Sequence, residues 1–210
     1  MSNNPEFITQ LAKETILLES ESIANLTTLL DTDFYNAVDL IHNSKGRVII
    51  TGIGKSAIIA TKIVATMNST GTPAVFMHAA DAIHGDLGLI LEDDVVICIS
   101  KSGNTPEIKV LVPFIKKAGN KMIAITGNKN SFLGQEANFV LNTYVEKEAC
   151  PNNLAPTTST TAQLVMGDAL AVCLLKLQNF TSNDFAKYHP GGALGKKLYL
   201  RVSDLSQVNE

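Results

Sequence analysis

Apolar residues follow two different rhythms along the chain. Over residues 5–30, Ile8, Leu11, Ile16, Ile23 and Leu26 recur at loose helical spacing and Pro5 suits a first turn, which predicts a helix. A second helix is expected from about Phe34 to Asn43, with Asp31 or Asp33 as its cap and Gly46 past its end. From Arg47 the rhythm changes. Residues 47–51, 74–77, 95–99, 122–126 and 139–143 are short runs, largely apolar on both faces. Continuous rather than alternating apolarity predicts parallel strands covered on both sides. Helical stretches fall between them, at 55–69, 106–118 and 131–137. Strands alternating with helices predict right-handed β-α-β units and a doubly wound α/β sheet flanked by helices. A long helix over roughly 159–177 is apolar nearly all round, so it must be buried on more than one side. One domain could cover it alone; a subunit interface is the preferred alternative.

Composition narrows the class. The 210 residues are 45% hydrophobic and 18% charged, enough for a sizeable core in one α/β domain with an N-terminal helical extension. Net charge is −3 with no dense basic patch, so nucleic acid is not an expected partner. Cys98, Cys150 and Cys173 are odd in number and unpaired in spacing, which argues against a disulfide framework or a thiolate zinc site and for the reduced cytoplasm. The start of the chain lacks a basic-then-apolar signal pattern, and no run reaches the ~18 apolar residues of a membrane span, so no membrane partner is expected.

In open parallel sheets, ligands bind beyond the carboxyl ends of the strands. The first strand ends in Thr51-Gly52-Ile53-Gly54-Lys55-Ser56, which matches neither a P-loop nor GxGxxG and reads equally as a tight turn or an anion site at a helix start. The third ends in Ser100-Lys101-Ser102-Gly103-Asn104-Thr105-Pro106-Glu107. Three hydroxyls and a glycine before a helix exceed what a cap at Asn104 or Thr105 needs, and they predict phosphate binding. After the fifth strand, Glu146 and Glu148 offer a general base. Residues 157–161 offer hydroxyls that could cap the long helix and line a pocket; a solvated acidic loop is the plain alternative. His84 and His189 lie in glycine-containing loops, where packing does not require them, whereas His42 and His78 read as structural. A metal shared by His84 and His189 would lack a third ligand at a recognisable spacing.

These segments together resemble the SIS (sugar isomerase) domain family, whose phosphate loop Ser100–Thr105 matches. Gly52–Ser56, Ala82–Gly88, Lys147–Pro151, Leu154–Thr161, Met166–Ala171 and His189–Gly195 make the chain similar, from about residue 10 to 205, to the arabinose-5-phosphate isomerases of that family, which serve Kdo (3-deoxy-D-manno-octulosonate) synthesis for lipopolysaccharide or capsule. The resemblance implies a five-stranded, flavodoxin-like parallel sheet and a SIS domain over 46–205, with a helical extension over 1–45 and a tail over 206–210. It implies a homotetramer with active sites shared between subunits. It also implies aldose–ketose isomerisation of D-ribulose 5-phosphate and D-arabinose 5-phosphate, with catalytic roles for Lys55, His84, Glu107, Glu148 and His189. Relatives often continue into CBS domains after a segment like 201–205, so a form lacking them is expected. They often carry another residue at position 101 and an acid at 104.

Such a reaction passes through an enediol and needs no redox cofactor and no metal. Ser100, Ser102, Gly103 and Thr105, with Ser56 and Gly54, are assigned to the phosphate. Glu148 is the expected base, standing at the pocket mouth after the last strand, with Glu107 in reserve. Lys55 would stabilise the enediolate, and the two histidines would shuttle hydroxyl protons, His189 from another subunit. The competing readings are a non-catalytic phosphosugar sensor and an isomerase for a different sugar phosphate.

Overall fold

A computed structural model describes residues 4–192 and 195. Part of the His189–Gly195 loop (193 and 194), the 201–205 segment and the 206–210 tail lie outside the described residues.

Five parallel strands form the sheet, β1 (Val48–Gly52), β2 (Ala74–His78), β3 (Val95–Ile99), β4 (Met122–Thr126) and β5 (Phe139–Asn142), in the order β2-β1-β3-β4-β5. The central strands β1, β3 and β4 are buried at every residue, as their continuous apolarity requires. One face packs α1 (Pro5–Leu29), α2 (Thr32–Asn43), α3 (Lys55–Ser69) and α7 (Thr158–Leu177) around Ile50, Ile97, Ile123 and Leu141. The other packs α4 (Ala79–Ala82), α5 (Pro106–Ala118) and α6 (Phe132–Glu136) around Ile49, Val96, Cys98 and Ala124. A last helix, α8 (Ser182–Tyr188), follows α7.

Sequence periodicity matches these elements closely, and the differences have local causes. The four-residue α4, a 3-10 turn at Asp86–Leu89 and the short α8 are too brief to show a helical rhythm. By length and composition α7 could cross a bilayer. Here it lies against α1, α2 and α3, and Gly167 is what lets it approach α3: a Cβ there would strike the Ile63 side chain.

Polar side chains fix the amino-terminal edge of the sheet. Asp94, 2% exposed, accepts from the Arg47 amide at 2.7 Å and the Leu91 amide at 2.9 Å, and pairs with the Arg47 guanidinium at 2.8 Å, joining the starts of β1 and β3. Asn68 accepts from the Ala74 amide, Asn138 from that of Met122 and Asp33 from that of Val140, so β2, β4 and β5 are tied the same way. Asp94→Ala strands the Arg47 and Leu91 amides and removes one partner of the half-exposed Arg47 guanidinium, and is expected to cost about 2 kcal/mol. Urea unfolding checks this; a midpoint within error of wild type would show that the edge is held otherwise.

Candidate functional site

Three long helices, α3, α5 and α7, begin at the opposite, carboxyl-terminal edge beside the short α4 and α6, and their first turns are treated differently. Gly54 precedes α3 with φ +58°, a left-handed conformation suited to glycine, and no side chain caps that helix. Thr105 holds the N-cap position of α5 expected from the sequence, but its hydroxyl lies 2.7 Å from Ser100 Oγ instead of capping a backbone amide. The third start, that of α7, is taken by Glu148: Oε2 accepts from the Thr157 amide at 2.8 Å and the Ser159 amide at 3.1 Å.

Between the α3 and α5 starts, neither of which has a side-chain cap, is a cavity of about 160 Å³. Lys55 and Ser56 of α3, Ser100, Lys101 and Thr105 of the β3–α5 turn, and Ser159, Thr160 and Gln163 of α7 wall it. This is below the roughly 300–1,000 Å³ of pockets for drug-sized ligands, a size for a small charged headgroup. Free N–H groups, two ammonium groups and five hydroxyls suit a phosphate without a metal. Gly103 shapes the turn. It has φ +64°, donates its amide to Ser100 Oγ at 3.1 Å, and has no room for a Cβ against Ser131 Oγ. Ser102 is exposed outside the wall, accepting from the Asn104 amide.

Glu148 departs from its expected place at the pocket mouth. It is 2% exposed, because its partners come from two segments that fold over it. Oε1 is 2.6 Å from Lys101 Nζ and accepts from Ser159 Oγ at 2.6 Å. Burial alone would raise its pKa, but the Lys101 ammonium, the Ser159 hydroxyl and the two amides outweigh it and hold the carboxyl down to about 2. On its far side, Glu148 borders a second cavity between α1 and residues 147–153.

The remaining candidates are not gathered around the cavity in one chain. Glu107, in the first turn of α5, is half-buried and makes no hydrogen bond or ion pair among the described residues. His84 is exposed beyond α4, off the end of β2. His189 ends α8, stacks on Phe185 and donates Nδ1–H to the Phe185 carbonyl at 2.8 Å, a tautomer that leaves Nε2 as the basic nitrogen. Gln178 bonds Thr72, Phe180 lies against Gly71, and Tyr188 stacks on Phe180, so α8 sits at the amino-terminal edge, across the sheet from the cavity. Among the described residues no three His, Cys, Asp or Glu side chains converge as metal ligands would. The wall roles of Lys101 and Gln163 were not anticipated. Gln163 lies one helical turn after Ser159, and that spacing is its only signal.

The comparisons agree with this architecture. Residues 40–173 match the SIS domain family. The chain is 50% identical over 210 residues to the arabinose 5-phosphate isomerase KdsD of Pseudomonas aeruginosa, covering all of this chain and 64% of that protein. It is 52% identical over 197 residues to KdsD of Francisella tularensis, covering 92% and 60%. It thus spans about three fifths of the length of the curated relatives it matches. The solved structure of E. coli CFT073 c3406 in complex with A5P is 40% identical, with a TM-score of 0.86 over 89% of this chain and 100% of that one. Fold, helix starts and these matches together make the chain a member of the SIS domain family.

Proposed function

We propose that the chain is an aldose–ketose isomerase that interconverts D-ribulose 5-phosphate and D-arabinose 5-phosphate and supplies Kdo synthesis. One observation carries this: a cavity between two helix starts, walled by lysines and hydroxyls, with a buried carboxylate directly behind Lys101. The names of the relatives and the A5P held by c3406 support the same substrate.

In this reading Ser56, Ser100 and Thr105, with the α3 and α5 amides, grip the phosphate and anchor the far end of the sugar. Glu148 takes the proton from C1 of the ketose and returns it to C2. It is kept ionised at neutral pH, as a base must be before it acts. Glu107, whose carboxylate no other side chain engages among the described residues, is the alternative base. Lys55 faces the developing enediolate oxygens, and His84 and His189 move the hydroxyl protons. His189 comes from another copy of the chain within a homotetramer. Support lies in its position across the sheet from its own cavity and in apolar surface left uncovered on α1 and α7, including Phe7, Ile16, Leu17 and Val172. The three cysteines are free, which suits a cytoplasmic setting.

Incubation with ribulose 5-phosphate tests the reading: an arabinose 5-phosphate product is expected, and the absence of an arabinose product would overturn it. In heavy water its C2 gains deuterium to the extent that the proton held by Glu148 exchanges before its return, and the rest of the C2 hydrogen comes from C1, as a C1-deuterated substrate reports. Thr105→Val is expected to raise KM about tenfold while sparing kcat, the loss of a hydrogen bond to a dianion; steady-state kinetics with an unchanged KM would remove Thr105 from the phosphate site. Glu148→Gln is expected to lower kcat by about 10²-fold or more with substrate still bound. Near-normal turnover in a folded variant would pass the base to Glu107.

A further inference from the structure

One side chain belongs both to the phosphate cavity and to Glu148. Lys101 lies in the β3–α5 turn and walls the cavity, yet its ammonium is 2.6 Å from Glu148 Oε1 in the β5–α7 loop. The two carboxylate oxygens are employed differently. Oε2 is fixed by the α7 amides. Oε1 is held by Lys101 Nζ and Ser159 Oγ, and both residues line the cavity. Oε1 therefore lies directly behind two residues of the cavity wall. The Glu148 side chain is fully buried, whereas that of Lys101 is 48% exposed on a flexible four-carbon stem, so Lys101 is the partner able to move. A phosphate dianion carries more charge than a carboxylate and offers three acceptor oxygens within the same wall.

We propose that Lys101 is a latch on Glu148 operated by the phosphate of the substrate: in the empty site its ammonium covers Oε1, and a phosphate dianion in the cavity draws it away and uncovers that oxygen. That the uncovered oxygen then meets the reacting carbons rests on the isomerase reading; the exchange of partners itself needs only an anion. Lys101 is thus a positioning residue that acts through Glu148. Once its ammonium leaves, burial counts for more at Glu148 and the carboxylate becomes a stronger base. The other titratable groups bordering Glu148 are Glu14 of α1, Lys147 and the Cys150 thiol in the far cavity, and Lys55 across the phosphate cavity. None of them is bonded to the carboxylate, so Lys101 is the ammonium that an anion can remove.

The test is a titration of the Glu148 carboxyl by ¹³C NMR of glutamate-labelled protein, assigned with Glu148→Gln, in sodium chloride and in sulfate at equal ionic strength. Sulfate is a dianion above its second ionisation in strong acid, so the sulfate arm is read above that point, where the raised titration of Glu148 is expected. In wild type, saturating sulfate is expected to tighten proton binding at Glu148 by about tenfold or more. Lys101→Met is expected to bind the proton that tightly in both salts, and Lys101→Arg to recover the response; Lys101→Gln serves where the Met variant folds poorly. A wild-type titration unmoved by calorimetrically verified sulfate binding overturns the latch. So does a Met variant that answers sulfate as wild type does, because the field of the anion would then suffice. Failure of sulfate to bind removes both the latch and the phosphate cavity. Isomerase activity is scored separately: an active enzyme with an unresponsive Glu148 keeps the isomerase reading and loses the latch, whereas an inactive protein with a responsive Glu148 does the reverse.

Discussion

The bond between the Glu148 carboxylate and the first turn of α7 is the contact on which the rest of the site depends. Three long helices, α3, α5 and α7, start at the carboxyl edge of the sheet, and each brings backbone amides without intrahelical partners. An anion entering there would be offered three competing positions. Glu148 occupies the α7 position permanently through the Thr157 and Ser159 amides, so the α3 and α5 starts are left as one binding place between them. The same contact folds residues 149–157 back onto the sheet, since the Ala149 amide also donates to Thr157 and Thr158 hydroxyls. A buried carboxylate is tolerable only when compensated. Removing one partner of such a pair costs about 3–5 kcal/mol where the partner left behind is itself buried. Here the ammonium side is half in water, so the compensation must come chiefly from the fixed hydroxyl and amides. That leaves the ammonium free for other use.

The sheet separates stability from chemistry along its length. At the amino edge, the Asp94, Asn68, Asn138 and Asp33 side chains satisfy strand-leading amides, so each strand is tied before it enters the core. At the carboxyl edge, the α3 and α5 starts carry no side-chain cap and their hydroxyls bond neutral side chains: Ser100 meets Thr105, and Ser56 donates to the Gln163 amide oxygen at 3.2 Å. Neutral pairs of this kind are weak and rearrange without leaving a buried charge unsatisfied. They can turn toward a dianion, whereas the amino-edge ties cannot be given up without stranding backbone groups.

Most of the fold was legible because each element carries its own signal. The runs that became β1, β3 and β4 are apolar on both faces, which only a covered parallel sheet requires, and Pro106 and Gly119 mark the ends of α5. The phosphate turn was legible for a similar reason: its hydroxyls are contiguous in sequence and lie at a strand end. Glu148 was legible as a residue and not as an environment. Its partners stand at positions 101, 157 and 159, and nothing local to Glu148 shows that Lys101 will arrive from two strands away. His189 lies in a loop whose sequence carries no sign that α8 sits at the far edge; that follows from Phe180 meeting Gly71 and Tyr188, a long-range packing outcome. Sequence pattern reports what a segment is, and the burial of a charge depends on what reaches it.

An isomerase acting on a small sugar faces a difficulty that the Lys101–Glu148 pair addresses. Binding energy raises turnover only when it is realised more fully in the transition state than in the ground state. Phosphate is remote from the reacting carbons, so gripping it tightly would by itself lower KM alone. Coupling is obtained if the group that grips the phosphate also restrains the base, for then part of the phosphate interaction is converted into the reactivity of Glu148. A permanently uncovered Glu148 would be a buried charge with no ammonium beside it, held only by amides and the Ser159 hydroxyl, and a permanently paired one would be too weak a base. Holding the carboxylate by amides on one oxygen and by a displaceable lysine on the other avoids both states. In the proposed latch, a lysine in the phosphate turn is compatible with isomerase chemistry because its charge is shared in turn between the Glu148 carboxylate and a bound phosphate.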